Sequence, residues 1–130
     1  MSAVLFANLP VRDLDRSKTF FTALGFTLFG MADDMASVVI NEQAQVMLLT
    51  EPTFATYAGT EVADATKSTQ VILVVGVENP AQVDELFDKA LAAGGAAVGE
   101  LRNDGYRYQR GFTDLDGHHW EALCLVTPAA

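Results

Sequence analysis

The chain repeats itself, and this constrains its fold more than any single motif does. Residues 3–9 (A-V-L-F-A-N-L) form a strand pattern running out at Val11. A helix pattern follows: Asp13 is a natural N-cap, Leu14, Ser17, Phe20, Phe21 and Leu24 fall at helical spacing, and Gly25 suits the C′ position. Strands are predicted at 26–29, 36–40 and 45–50, the last two joined across the polar turn Asn41-Glu42-Gln43. The second half spells the same order. Its first strand, 69–77, is rich in β-branched residues, and Asn79 and Pro80 open a helix whose apolar stripe is Val83, Leu86, Phe87, Ala90 and Leu91. Gly94-Gly95 closes that helix, and strands are predicted at 96–99, 106–113 and 120–126. The two halves align on Val11 with Val77 and on Gly25 with Gly94. Each half is therefore βαβββ, and the repeat predicts an α+β fold of two tandem modules forming a curved, half-open mixed sheet pair around a cavity. The boundaries are about 2–51 for module one, 52–68 for a connector with room for one helical turn, and 69–127 for module two.

One carboxylate stands out against this frame. In the stretch F-T-D-L-D-G-H-H-W-E-A-L-C-L (112–125), Asp116-Gly117 is a turn dipeptide and an apolar strand follows it. Side chains alternate along a strand, which places His119, Glu121 and Leu123 on one face and Trp120, Ala122 and Cys124 on the other. A carboxylate within so apolar a strand is costly to bury unless it is paired, metal-bound or facing a wet cavity. Glu121 is either a pocket residue or the partner of an arginine such as Arg107 or Arg110. His119 is either a general base or a hydrogen-bonded spacer. Tyr106, Tyr108 and Arg110 alternate onto one strand face, where they either grip an anionic or aromatic ligand or serve as packing.

The bulk numbers remove several classes of partner. With 17 acidic against 8 basic residues the net charge is −9, and no Lys/Arg cluster occurs, which argues against nucleic acid and anionic membrane surfaces. No basic segment precedes the first apolar run, and no stretch approaches the ~20 apolar residues of a membrane helix, so the expected location is cytoplasmic. Cys124 is the single cysteine and is expected to be a buried, inert thiol. Phosphate loops, G-x-S-x-G, C-x-x-C and H-E-x-x-H motifs are missing from the sequence.

Four stretches resemble the vicinal oxygen chelate superfamily, which includes glyoxalase I, bleomycin resistance proteins and extradiol dioxygenases. They are N-L-P-V-R-D-L-D-R-S-K-T-F-F-T-A-L-G-F (8–26), V-M-L-L-T (46–50), A-L-A-A-G-G-A (90–96) and F-T-D-L-D-G-H-H-W-E (112–121). The resemblance implies a divalent metal held by His, Glu or Gln from the first and fourth strands of each half. Glu121 matches the last of these positions. In the repeat register the other three are Phe6, Leu48 and Ile72, none of which can ligate a metal. A site shifted by two residues would use His119, Glu121, Gln70 and Asn8, but two residues along a strand is roughly 6.6 Å.

The expectation is thus a metal-independent small-molecule binding protein without a cofactor, assembled as a homodimer. Its ligand would meet Phe6, Asn8, Leu48, Gln70, Ile72, Tyr106, Tyr108 and Arg110. The competing expectation is a glyoxalase-like lyase or isomerase (lactoylglutathione-lyase-like) or a dioxygenase, with Glu121 and His119 as catalytic residues. A ligand-free interaction module is a third.

Overall fold

Local chemistry sets the two longer helices. In α1 (Leu14–Ala23), the Asp13 side chain accepts from the Arg16 backbone N–H, an N-cap bond worth about 1 kcal/mol. Leu14, Ser17, Phe20 and Phe21 form its buried stripe, with Phe20 and Phe21 packed edge to face at 5.0 Å. In α3 (Pro80–Ala92), Asn79 accepts from the Gln82 N–H and Pro80 occupies the first turn, where no N–H is missed. Gly25 and Gly94, with φ of +102° and +109°, follow the ends of these helices in the left-handed region.

The computed structural model describes residues 2–125. The first compact unit, residues 1–64, holds a four-stranded sheet in the order β1-β4-β3-β2, from β1 (Leu5–Val11), β2 (Thr27–Ala32), β3 (Met35–Asn41) and β4 (Ala44–Thr50). The second, residues 65–130, repeats it as β5-β8-β7-β6, from β5 (Ile72–Gly76), β6 (Ala96–Asn103), β7 (Arg107–Thr113) and β8 (His119–Leu125). In each sheet the first and fourth strands are parallel and the other pairings antiparallel. Among the described residues, two mixed sheets and three helices form the α+β architecture of tandem modules that the repeat predicts, with no closed barrel. Among the described residues no helix is long and apolar enough to cross a membrane.

Several elements depart from the sequence reading: β5 is shorter than the expected 69–77 strand, and β2 runs on past residue 29. The connector holds two helical turns, α2 (Glu51–Ala58), rather than one. Thr50 is its N-cap residue, Pro52 lies in its first turn and Gly59 ends it at φ +71°. The pattern hides α2 because none of its residues is buried, so it has no apolar stripe to reveal. β6 runs on to Asn103, since Gly99 (φ +66°) lies within an irregularity in the β6–β7 register between Val98 and Arg102 and does not end the strand.

The turn into β8 is built on Asp114, which is 5% exposed. Its Oδ1 accepts from the backbone N–H groups of Asp116 and His118, and its Oδ2 accepts from Trp120 Nε1 at 3.1 Å. Burial pushes the Asp114 carboxyl above the usual carboxylate range, with these donors and the nearby His118 pulling the other way. Gly117, at φ +87°, is required there: a Cβ would come within about 3.0 Å of the Thr66 backbone.

Candidate functional site

The two faces of the second sheet are distinct. One lies against α3: the Tyr108 hydroxyl donates to Asp84 at 2.8 Å, Arg110 pairs with the same carboxylate at 3.1 Å, and the Arg110 guanidinium sits 4.0 Å over the Phe87 ring. Phe112, Trp120, Ala122 and Cys124 share this face, all nearly inaccessible. The opposite face carries Ile72 and Val74 from β5, His119, Glu121 and Leu123 from β8, and Gln109 and Gly111 from β7. The parallel β5–β8 register sets Ile72 beside His119 and Val74 beside Glu121.

On that face Glu121 is held from three directions. Gln109 Nε2 donates to its Oε1 at 2.9 Å, and His119 Nε2 makes a short contact with its Oε2. Gly111 lies directly opposite Glu121 and leaves room for the carboxylate to fold back over the backbone. An added Cβ at Gly111 would overlap Glu121 Oε2 and approach the Val98 carbonyl oxygen to 2.9 Å. His119 and Glu121 side chains are only 13% and 15% exposed, while Ile72 and Val74 remain 51% and 50% exposed. The result is a polar pair, fixed in place and flanked by accessible apolar side chains.

Several expected site residues stand elsewhere. Tyr108 and Arg110 lie on the α3 face, so they do not share a surface with Glu121, and Arg110 is committed to Asp84. Arg107 is not the partner of Glu121 either; it pairs with Asp104 at 3.0 Å and lies 5.6 Å from the Tyr106 ring. Tyr106 is exposed in the turn between β6 and β7, and Gln70 is exposed before β5 begins.

In the first sheet, Leu48 requires a correction. It pairs with Ala36, and Ala36 pairs with Gly30, whose position faces α1 through Lys18. Leu48 therefore belongs to the α1 face, where it is fully buried. The residue that takes the place of Glu121 is Met47, paired with Asn8 as Glu121 is paired with Val74. Phe6, Asn8 and Met47 share the face away from α1 with Gln45 and Ser37. The Ser37 hydroxyl donates to Gln45 Oε1 at 2.6 Å, and Gln45 stands beside Phe6 as His119 stands beside Ile72.

Sequence reasoning missed Gln109, Gly111, Gln45 and Ser37. The only available signal was parity: Gln109 and Gly111 occupy the alternate positions to Tyr108 and Arg110, and they meet Glu121 only through the β7–β8 register.

The fold and this site place the chain among proteins built from paired modules of this kind. A family model described as Glyoxalase/Bleomycin resistance protein/Dioxygenase superfamily matches residues 3–122, and the chain belongs to that superfamily. Among solved structures it is similar to a hypothetical protein of S. aureus, with 32% identity, TM-score 0.82 and coverage of 95% of this chain and 94% of that one. A glyoxalase-related enzyme of Fulvimarina pelagi shares the fold at 20% identity and TM-score 0.82, covering 100% and 94%. A lactoylglutathione lyase of Agrobacterium tumefaciens shares it at 17% identity and TM-score 0.69, covering 95% and 94%. No match is found among the curated proteins.

The divalent metal that the family resemblance implies does not fit these residues. Phe6 and Ile72 offer no lone pair, Met47 offers only a thioether, and Glu121 is already engaged by Gln109 and His119. Among the described residues no three His, Cys, Asp or Glu side chains are grouped so that they could hold a metal ion.

Proposed function

We propose that this member of the glyoxalase/bleomycin resistance/dioxygenase superfamily binds a small molecule without a metal. The observation that carries the reading is the state of Glu121. Its carboxylate is tied to Gln109 and His119, and the adjacent first-strand residue is Ile72. Metal ligation needs several converging donors, and the apolar Ile72 beside this pair cannot supply one.

The same arrangement supports ligand binding. Exposed Ile72 and Val74 offer apolar contact, while the fixed polar pair beside them supplies direction. A carboxylate and imidazole already hydrogen-bonded to each other lose little side-chain freedom when a ligand arrives. Net charge of −9 disfavours polyanionic ligands.

The test is a thermal-shift screen of neutral small molecules with and without excess EDTA. The reading predicts ligands whose stabilisation is unchanged by the chelator. Ligands that stabilise only after Ni, Zn, Fe or Mn is added would overturn it.

A further inference from the structure

We propose that the face of the first sheet turned away from α1 is a binding surface in its own right, for a flat, neutral aromatic compound that carries a carbonyl oxygen. The rings of the compound lie along Phe6 and Phe29, and its carbonyl accepts a hydrogen bond from Gln45 Nε2. No residue of the Glu121 site takes part, so the inference goes beyond the reading above and stands or falls apart from it.

Strand register builds the surface. Phe29 on β2 pairs with Ser37 on β3, Ser37 with Met47 on β4, and Met47 with Asn8 on β1, which sets one row across the whole sheet. The neighbouring row carries Gln45 beside Phe6. Ser37 and Met47 are buried, while Phe6 and Phe29, on the two outer strands, are 56% and 60% exposed. The two rings thus stand at the rims of a recessed strip, with β1 and β2 three strand spacings, about 14 Å, apart. Phenylalanines held outward at such a spacing offer edge and face contacts to one flat body of fused rings.

The floor of the strip supplies the polar anchor. The Ser37 hydroxyl donates to Gln45 Oε1 at 2.6 Å, so the amide oxygen is committed and its orientation is set by a buried group. Gln45 Nε2 keeps its N–H donors; it has no hydrogen-bond partner among the described residues and is not sealed from solvent. A ligand with an acceptor at that point satisfies the donor at little cost in side-chain freedom. Charge settles the rest of the class. Neither row contains an ionisable side chain, although the chain as a whole carries 17 acidic and 8 basic residues. An ionised ligand would give up hydration on this surface and find no counter-charge. What fits is an acceptor on a flat apolar body, and a carbonyl on an aromatic ring system has both.

The experiment uses 9-fluorenone, a flat neutral ketone, and fluorene, the same ring system without the carbonyl. Proton–nitrogen NMR spectra of the full chain locate each compound, and titration gives its affinity. Fluorenone is expected to move the Gln45 side-chain NH2 signals and the backbone signals of Phe6 and Phe29. It is also expected to bind about tenfold more tightly than fluorene, the effect of one hydrogen bond to an amide donor. Gln45→Leu is expected to abolish that preference and to keep fluorene binding, which also shows that the variant is folded. Phe29→Ala is expected to weaken both compounds, and the wild-type comparison stands without any variant. Equal affinity of the two compounds for the wild-type chain, or a preference that survives Gln45→Leu, overturns the inference. Fluorenone that moves the Gln109 and Ile72 signals and leaves Gln45 unmoved overturns it too, and leaves the reading of Glu121 standing. Binding of neither compound also overturns it, and the chelator screen then judges the Glu121 reading on its own.

Discussion

Glu121 is a residue whose surroundings were assembled by three different strands. β8 supplies it with His119, β7 supplies Gln109 and the empty space at Gly111, and β5 supplies the apolar flank. The glycine is the least replaceable of these. Gly111→Ala puts a methyl group where the carboxylate lies and against the Val98 carbonyl oxygen, so the expected cost is about 1–3 kcal/mol, read from the denaturation midpoint. The same variant is expected to break the His119–Glu121 contact, visible as a changed His119 ring signal; an unchanged midpoint and signal would mean the carboxylate is not seated over Gly111. Glu121 itself was legible in the sequence, because a carboxylate inside an apolar strand needs a partner wherever it faces. Its partners were not, since Gln109 and Gly111 lie ten or more residues away and meet it only through strand register. Leu48 shows how narrow that margin is. A shift of one residue moves a side chain to the other face of a sheet, and it separates buried Leu48 from Met47 on the face away from α1.

At the scale of elements, the helices with side-chain caps and apolar stripes were readable, because capping and stripe are both local signals. α2 has neither a buried residue nor a side-chain cap bond, and its helicity depends on its context. The β7–β8 turn was recognised by Asp116-Gly117, yet the residue that organises it is Asp114, through two backbone donors and the Trp120 indole. Asp114→Ala leaves those three donors without their acceptor, with an expected loss of about 2–4 kcal/mol. Asp114 also gives the element a pH signature. Burial raises its folded-state pKa, so the native chain holds that proton to higher pH than the unfolded chain does. Its contribution is fully present below the unfolded aspartate value of about 3.9 and is lost as pH rises through the higher folded value. Urea midpoints measured upward from about pH 4 are expected to fall across that window in the wild type. In Asp114→Asn this component disappears; an identical slope in both proteins would contradict the assignment.

For the whole molecule, the repeat decides the architecture, and the two repeats differ in the side chains they present. Both modules have the same strand order and the same parallel pairing of first and fourth strands. At matching places, however, one has Gln45 and Met47 where the other has His119 and Glu121. The paired-module fold serves isomerisation, oxygenation and sequestration alike, so the donor set must decide among them. In this chain, that set is one imidazole and one carboxylate already joined to each other, beside apolar Ile72. The most direct test is elemental mass spectrometry of the untagged protein after dialysis against metal-free buffer, repeated after incubation with Ni, Zn, Fe and Mn. A metal-independent site predicts far less than one bound ion per chain in both samples, whereas about one ion per chain surviving dialysis would contradict it.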